Sequence, residues 1–357
     1  MKRFIGFSVI VLLILGCIGY VFRTQLVMAM LPRVVLTNMT RNLIAEQPDG
    51  LHLMLCGAGS PLPDPNRSGP CVAVIAGDRF YVVDSGSGSP RVIQQVGLPL
   101  SELEAVFLTH LHSDHIDGLG ELQMQHWAGG GADAPLPIYG PAGVEAIVDG
   151  INLMYGPSRV SRVAHHGEEV VPLAGAGGVA RPFVEPKEGE LIPLLKEGDL
   201  TVSAFKVNHF PVEPAVGYRF DYKGRSIVIS GDTVKSANLE HYSEGVDLLV
   251  HEALDSKVVA RMAAVSREQG FDRRAKLLDD ILGYHATPVE AAEIARDAEV
   301  GHLLYYHVVP PLLLAPLEAV FLQGVDEVYE GPVTLGRDGT FIVLPAGTDE
   351  IDSRDLL

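Results

Sequence analysis

The stretch His110-Leu-His112-Ser-Asp114-His115 directly follows the short apolar run Ala105–Leu108. An apolar run of this length is typical of a buried strand, so the four polar side chains stand at the end of a stiff backbone segment. Because side chains alternate along an extended chain, His110 and His112 face the same side and can bind one ion. Asp114 and His115 turn the other way and can bind a second ion. Imidazole and carboxylate groups suit zinc, and also manganese or iron.

Around this stretch the hydrophobic pattern predicts many short strands and a few helices. Strands come first in the chain, and strands alternating with helices follow, which favours an α/β fold with layered sheets and helices outside. The predicted strands are Leu51–Cys56, Cys71–Ile75, Phe80–Val83, Ala105–Leu108, Thr201–Val207, Val216–Asp221, Ser226–Ile229, Leu248–Val250 and Leu303–Tyr306. Helices are predicted over Gly118–Trp127, Ala142–Tyr155 and Val289–Ala298, and the polar segment 257–282 is helix-prone.

The N-terminus carries a long uncharged segment. Lys2 and Arg3 precede the run Phe4–Phe22, which Arg23 ends. At a helical rise of about 1.5 Å per residue such a run just spans the roughly 30 Å core of a bilayer. A secretory signal would have a shorter apolar region and a small-residue cleavage site. We therefore expect residues 1–23 to be a membrane anchor, with a cleaved signal segment as the alternative.

This anchor sets the expected domain organisation. A linker is predicted over residues 24–50, the catalytic domain over 51–345 and an acidic, disordered tail over 346–357. Short N-terminal anchors of this form usually export the chain that follows them. The catalytic domain is therefore expected on the periplasmic or extracellular side of the membrane.

The net charge of −18 bears on the substrate. Nucleic-acid affinity comes largely from Lys and Arg side chains that neutralise phosphates, so an acidic chain disfavours a nucleic-acid partner. Solubility alone is the alternative reason for such a charge. Cysteine is scarce, and with no CxxC pair a cysteine zinc site is excluded. Cys56 and Cys71 flank a turn and either pair or lie reduced and buried.

Several patches in a fixed order resemble the metallo-β-lactamase superfamily, whose signature is HxHxDH. Within it the chain is similar to the branch that holds ribonuclease Z and the metallo-type arylsulfatases. Beyond the signature, the resemblance rests on Leu55-Cys-Gly-Ala-Gly-Ser-Pro61, Val83-Asp84-Ser-Gly-Ser-Gly88, Tyr139-Gly-Pro-Ala-Gly143, Asn208-His209-Phe, Ser230-Gly-Asp232-Thr233, His251-Glu252-Ala253, Tyr284-His285-Ala-Thr287 and His307. It implies a metallo-β-lactamase αββα sandwich and a hydrolase that holds two divalent cations.

The resemblance also implies a role for each site residue. One ion would be bound by His110, His112 and His209, and the other by Asp114, His115 and His307, with Asp232 bridging the two. Two such cations supply a bridging hydroxide near neutral pH. Asp114 would orient this nucleophile, His285 would protonate the leaving group, and Glu252 would hold His285 charged.

The substrate is the open question. A phosphodiester, a sulfate ester or a lactone fits the chemistry, and likeness to ribonuclease Z favours the first. Only 22 residues separate His209 from Asp232, however, where ribonuclease Z carries a long arm for transfer RNA, and the segment 61–67 after the first turn has one positive charge. We therefore expect a small anionic phosphodiester or sulfate ester, as in a phosphodiesterase or arylsulfatase.

Three alternatives remain: a ribonuclease Z-type enzyme that processes transfer-RNA 3′ ends, a lactonase, and a non-enzymatic metal-binding scaffold. Association into a homo-oligomer is also left open. The spacer between His251 and His285 is long and carries several cations. They are either a lid that meets an anionic substrate or a solvated helix face: Arg261, Arg267, Arg273, Arg274 and Lys276.

Overall fold

The computed structural model describes residues 19–357. Its larger compact unit is Leu43–Leu357, and the helix Arg23–Thr40 belongs to a separate N-terminal unit. Residues 24–40 are rich in Leu, Met, Ala and Val rather than in linker residues, and they are helical where a linker was predicted.

The predicted membrane anchor falls mostly on residues 1–18, which lie outside the described residues. Within 19–357 no helix combines the length and the apolar character needed to cross a bilayer. The helix Arg23–Thr40 carries charged and polar side chains among its apolar ones, which lowers its affinity for a membrane interior. The prediction of a membrane-anchored, exported domain therefore has no support in the described residues and is withdrawn, together with the membrane as a partner.

Two sheets dominate the larger unit. The first has the strand order β15-β14-β1-β2-β3-β4-β5-β6. Its strands are β1 Gly50–Gly57, β2 Cys71–Ala76, β3 Arg79–Val83, β4 Leu103–Phe107, β5 Leu136–Gly140, β6 Gly178–Pro182, β14 Thr340–Pro345 and β15 Asp352–Asp355. The second has the order β13-β12-β11-β10-β9-β8-β7. Its strands are β7 Leu191–Glu197, β8 Leu200–Lys206, β9 Val216–Tyr222, β10 Arg225–Ile229, β11 Leu248–Leu254, β12 Leu303–Val309 and β13 Val333–Leu335.

The sheets pack face to face, and helices cover their outer faces. A buried cluster that includes Leu53, Phe107, Phe220 and Leu304 lies between the sheets. The helices of the larger unit are Ser89–Val96, Ser113–Ile116, Leu119–Met124, Val144–His166, Ala237–Tyr242, Ser256–Glu268, Asp272–Asp280, Pro288–Asp297 and Ala315–Phe321. Separate apolar clusters fill the outer interfaces. This layering is the predicted αββα sandwich.

Some segments differ from the sequence prediction. The tail was predicted to be disordered, yet residues 352–355 pair with β14 as an edge strand. The strand β7 was missed because Pro193 interrupts its pattern; it lies at a sheet edge, where proline is tolerated, and its register shifts beside Pro193. The limits 24–50, 51–345 and 346–357 remain a proposal for the domain organisation.

The fold also brings the two candidate cysteines together. Cys56 ends β1 and Cys71 begins β2, and their Sγ atoms are bonded in a buried disulfide. The strand pairing places Cys71 opposite Gly57, next to Cys56, so neighbouring strands hold the pair close.

Candidate metal centre

The predicted site lies where strands of both sheets end. β3 and β4 run parallel, and so do β10, β11 and β12. Parallel strands end at one edge of a sheet, which is where open α/β sheets place their functional groups. The segments that leave or close these strand ends carry the predicted residues, so the two sheets contribute to one cleft.

The first sheet contributes the signature stretch. His110 and His112 follow β4 in extended backbone, and the short helix Ser113–Ile116 then carries Asp114 and His115. His110 and His115 are fully buried, whereas His112 is half-buried and faces the cleft. The turn into this helix separates the two pairs of side chains, as the alternation pattern predicts.

The second sheet contributes three more predicted residues. His209 follows β8, Asp232 follows β10, and His307 lies within β12; all three are buried. Asp232 Oδ2 lies 3.8 Å from Nε2 of both His110 and His209, and 3.4 Å from Nε2 of both His115 and His307. One carboxylate oxygen therefore stands between two groups of imidazoles.

The side chains form two groups, and within each group the donor atoms lie within 4.8 Å of one another. One group is His110, His112, His209 and Asp232, and the other is Asp114, His115 and His307. A further group joins His285 to Asp232 and His307. The cluster brings together every residue that was predicted to bind metal, and it is compatible with divalent cations.

The atoms of the cluster that lack hydrogen-bond partners show whether its side chains fit a metal ion. Five buried donor or acceptor atoms have no hydrogen-bond partner among the described residues: Nε2 of His110, His115 and His209, Nδ1 of His307 and Oδ1 of Asp232. Leaving such atoms unpaired costs about 1–3 kcal/mol each. A cation accepts lone pairs from imidazole, so metal binding accounts for the unpaired Nε2 atoms of His110, His115 and His209, which all lie within 4 Å of Asp232 Oδ2.

The charges favour the same interpretation. Burial lowers the pKa of His110 and His209, so both rings are neutral near pH 7 and offer a lone pair. Burial would raise the pKa of Asp232, but His307 and His115 hold it well below its usual value. Burial also lowers the pKa of His115, yet Asp232 and Asp84 outweigh this and raise it. The centre thus holds negative charge that a cation would neutralise.

One buried carboxylate that sequence reasoning missed orients two of these rings. Asp84, directly after β3, accepts hydrogen bonds from His115 Nδ1 at 2.8 Å and from the Thr109 hydroxyl at 2.8 Å. Thr109 Oγ1 in turn lies 3.1 Å from His110 Nδ1. Both histidines therefore present Nε2 to the cluster. Asp84 belongs to the Gly-rich turn 83–88, and its position between a strand and a turn was the available signal.

A backbone carbonyl group orients a third histidine ring, that of His209. His209 Nδ1 donates to the Tyr284 carbonyl oxygen at 2.9 Å, which also leaves Nε2 facing the cluster. Because every residue has a backbone carbonyl group, the sequence does not show which one accepts this hydrogen bond. Outer hydrogen bonds of this kind select the tautomer of a metal-binding histidine.

His285 and Glu252 form a buried pair beside the cluster. Glu252 is fully buried in β11, and its Oε1 accepts from His285 Nδ1 at 3.0 Å and from the amides of Thr233 and Ala286. Burial would lower the pKa of His285, but the Glu252 carboxylate raises it to about 9. The neighbouring His251 is fully buried and donates to the Glu252 carbonyl oxygen, behind the site.

A cleft of about 140 Å³ opens onto these residues. Asp114, Asp232, His285 and His307 line its polar side. Its apolar side consists of Pro61 and Leu62 from the first turn, Leu277, Leu278 and Ile281 from the helical spacer, and Val309. The spacer that sequence left undecided therefore forms one wall of the cleft.

Comparison with known proteins agrees with this geometry. Residues 65–267 match the family model of the metallo-beta-lactamase superfamily. A ribonuclease Z of Mycobacterium bovis (strain BCG / Pasteur 1173P2) is 36% identical over 290 residues, which cover 81% of this chain and 96% of that protein. A ribonuclease Z of Mycobacterium tuberculosis (strain ATCC 25618 / H37Rv) is 34% identical with the same coverage.

Solved structures share the fold at lower identity. The short form of human tRNase Z has a TM-score of 0.59 and 22% identity, covering 82% of this chain and 99% of its own. The metallo-beta-lactamase fold protein YhfI from Bacillus subtilis has a TM-score of 0.56 and 20% identity, covering 82% and 99%. These likenesses concern the fold.

The relatives correct the substrate prediction. Both relatives are named ribonuclease Z, and the match covers 96% of each. The prediction of a small phosphodiester or sulfate ester as substrate, with nucleic acid disfavoured, is therefore wrong. The arylsulfatase half of the predicted branch finds no support in these relatives. The net charge misled because it averages over the whole surface, whereas binding depends on the local distribution of charge. This chain belongs to the metallo-beta-lactamase superfamily, in its ribonuclease Z-like branch.

Proposed function

We propose that this protein is an endoribonuclease of the ribonuclease Z type, which hydrolyses a phosphodiester bond at the 3′ end of precursor transfer RNA. The observation that carries the proposal is the 36% identity to a ribonuclease Z along 96% of that enzyme. A complete set of metal-binding side chains at the strand ends supports it.

The cluster would hold two divalent cations, with zinc first and manganese or iron as alternatives. His110, His112 and His209 would bind one ion, and Asp114, His115 and His307 the other. The central position of Asp232 supports its assignment as the bridging ligand. Such ions, when bound, supply Lewis acidity toward the phosphate and a strong nucleophile near neutral pH.

The protein's own residues would complete the reaction. Asp114 lines the cleft, where its carboxylate can accept a hydrogen bond from the attacking water and orient it. Water adds to phosphorus and the bond to the ribose O3′ breaks, so the departing alkoxide needs a proton. His285 lines the same cleft and would donate it.

Glu252 makes His285 suitable for this task. Its carboxylate raises the pKa of His285 to about 9, so the ring is protonated at neutral pH although it is nearly buried. The amides of Thr233 and Ala286 hold the carboxylate in place. Glu252 is therefore a positioning residue, which acts through His285.

The test is to incubate the purified, zinc-reconstituted chain with precursor transfer RNA and to map the new 3′ end. We expect one cut directly 3′ of the acceptor stem, with a 3′-hydroxyl on the transfer RNA. A chain that turns over bis(p-nitrophenyl) phosphate but leaves the precursor intact would contradict the proposal.

A further inference from the structure

The helices Ser256–Glu268 and Asp272–Asp280, here called the basic helix pair, differ in charge from the rest of the chain. Residues 256–280 contain six Lys or Arg and four Asp or Glu, a net charge of +2. The whole chain has −18, so the remainder has −20. The helix pair thus carries a local positive charge on a chain that is acidic as a whole.

An open groove of about 580 Å³ lies along this pair. Lys257, Arg261 and Arg274 line it together with apolar side chains that include Met262. Phe271, in the turn between the helices, also lines the groove and is 61% exposed. An exposed aromatic ring among three cations is the combination with which proteins bind single-stranded nucleic acid.

The groove cations differ from two of the three other cations of the pair, whereas the third, Arg273, has no ion-pair partner within residues 19–357. Arg267 and Lys276, which do not line the groove, form ion pairs with Asp279 and Asp280. Within residues 19–357, neither Lys257 nor Arg274 has an ion-pair partner. Arg261 lies 3.8 Å from Glu268, and both side chains are mostly exposed, so this pair is weak. The groove cations are therefore available to phosphates.

The groove also lies close to the metal centre. Leu277 and Leu278, in the second helix of the pair, line the cleft with Asp232 and His307, while Phe271 and Arg274 at its beginning line the groove. The helix Asp272–Asp280 has nine residues and is roughly 13 Å long. A strand bound in the groove can reach the cleft within a few nucleotides.

We propose that the groove of the basic helix pair binds the single-stranded RNA trailer that extends 3′ from the scissile bond. This inference rests on the proposed function. The groove cations would neutralise trailer phosphates, and Phe271 would stack on a base. Because bases stack on aromatic rings with little sequence preference, the groove would accept trailers of varied sequence.

Direct binding tests the groove without catalysis. Fluorescence anisotropy would measure the affinity of the full chain for a labelled oligouridylate across a salt series. The test variant is Lys257→Gln/Arg261→Gln/Arg274→Gln, and the matched control is Arg181→Gln/Lys187→Gln/Lys196→Gln, whose three exposed cations lie outside the groove.

We expect the test variant to flatten the slope of log affinity against log salt by about 2, at about 0.7 for each lost phosphate contact. The control should leave the slope unchanged. Phe271→Ala should lower the affinity by roughly fivefold or more, since stacking on an aromatic ring contributes that much per base. Val184→Ala, at an exposed apolar position outside the groove, should leave the affinity unchanged.

Turnover separates this inference from the proposed function. The test variant should raise KM for a precursor with a long trailer, change it little when the trailer is one nucleotide, and preserve turnover of bis(p-nitrophenyl) phosphate. Cleavage of precursor with equal KM in variant and wild type would overturn the groove alone. An intact precursor would overturn the proposed function, while anisotropy would still decide the groove.

Two further results would overturn the groove assignment. One is oligouridylate binding that responds equally to the test and control substitutions. The other is a dimer, seen by light scattering, that the test variant or Phe271→Ala dissociates, because the groove would then be covered by a second copy of the chain.

Discussion

The metal centre and the basic helix pair meet in one cleft but are built on opposite principles. The metal centre consists mostly of buried side chains, and its histidine rings are held by hydrogen bonds that they donate to Asp84, Thr109 and the Tyr284 carbonyl oxygen. The helix pair presents exposed cations, and within residues 19–357 its groove residues Lys257 and Arg274 have no ion-pair partner. Under the two proposals above, bond breaking would reside in the buried part and substrate binding would involve the exposed part.

Removing the central carboxylate should have the largest effect. Asp232→Ala takes away the oxygen that lies between both imidazole groups, so we expect loss of bound metal and a fall in activity on the order of 10³-fold or more, because metal ions contribute several kcal/mol to the transition state. Elemental analysis and precursor cleavage measure both effects. Asp149→Ala, at an exposed helical position, is the control. Full activity in Asp232→Ala would remove this residue from the centre.

The difference between the two regions also explains what sequence could predict. The metal-binding residues were identifiable because each follows or ends a strand within a recognisable motif, and few residue types bind metal. The hydrophobic pattern likewise predicted four of the eight strands of the first sheet and five of the seven strands of the second. Asp84 escaped notice because a single aspartate in a turn has many uses, and Tyr284 acts through its backbone. The substrate prediction relied on the net charge of the whole chain, which carries no information on where individual cations such as Lys257 and Arg274 lie.

Loss of the proton donor should rank second. His285→Ala should keep the metal and lower precursor cleavage by about 10²–10⁴-fold, the usual contribution of general acid catalysis. A p-nitrophenolate leaves without much protonation, so bis(p-nitrophenyl) phosphate should lose far less. The exposed His241→Ala serves as the control. Equal losses on both substrates would mean that His285 positions substrate, and loss of metal would mean that it is a ligand.

Removing the carboxylate that orients the His115 ring should have the third-largest effect, a loss of metal affinity. Asp84→Asn keeps the shape of the side chain but removes the charge that accepts from His115 Nδ1 and Thr109. Outer-shell substitutions of this kind typically weaken metal binding by 10–100-fold. Titration with a competing chelator would measure the zinc affinity of the variant and of the wild type. Unchanged affinity would show that the strand ends alone fix the rings.

The smallest expected effect is a change in pH dependence. A general acid works while protonated, so with a His285 pKa of about 9 the rate should hold through neutral pH and fall as pH rises through about 9. Glu252→Gln removes the charge that raises this pKa, leaving burial to lower it. The alkaline limb of the kcat profile should therefore move to lower pH, with activity best preserved under acidic conditions. An unmoved limb would separate Glu252 from proton transfer.

The metal content of the purified full chain tests the central claim most directly. After reconstitution with zinc and removal of loosely bound ions, elemental analysis should find close to two ions per chain, because the described side chains form two groups of metal-binding donors and Asp232 Oδ2 lies close to both. His209→Ala should lower this value, whereas the exposed His166→Ala should not. A wild-type chain that retains no zinc, manganese or iron would contradict the account.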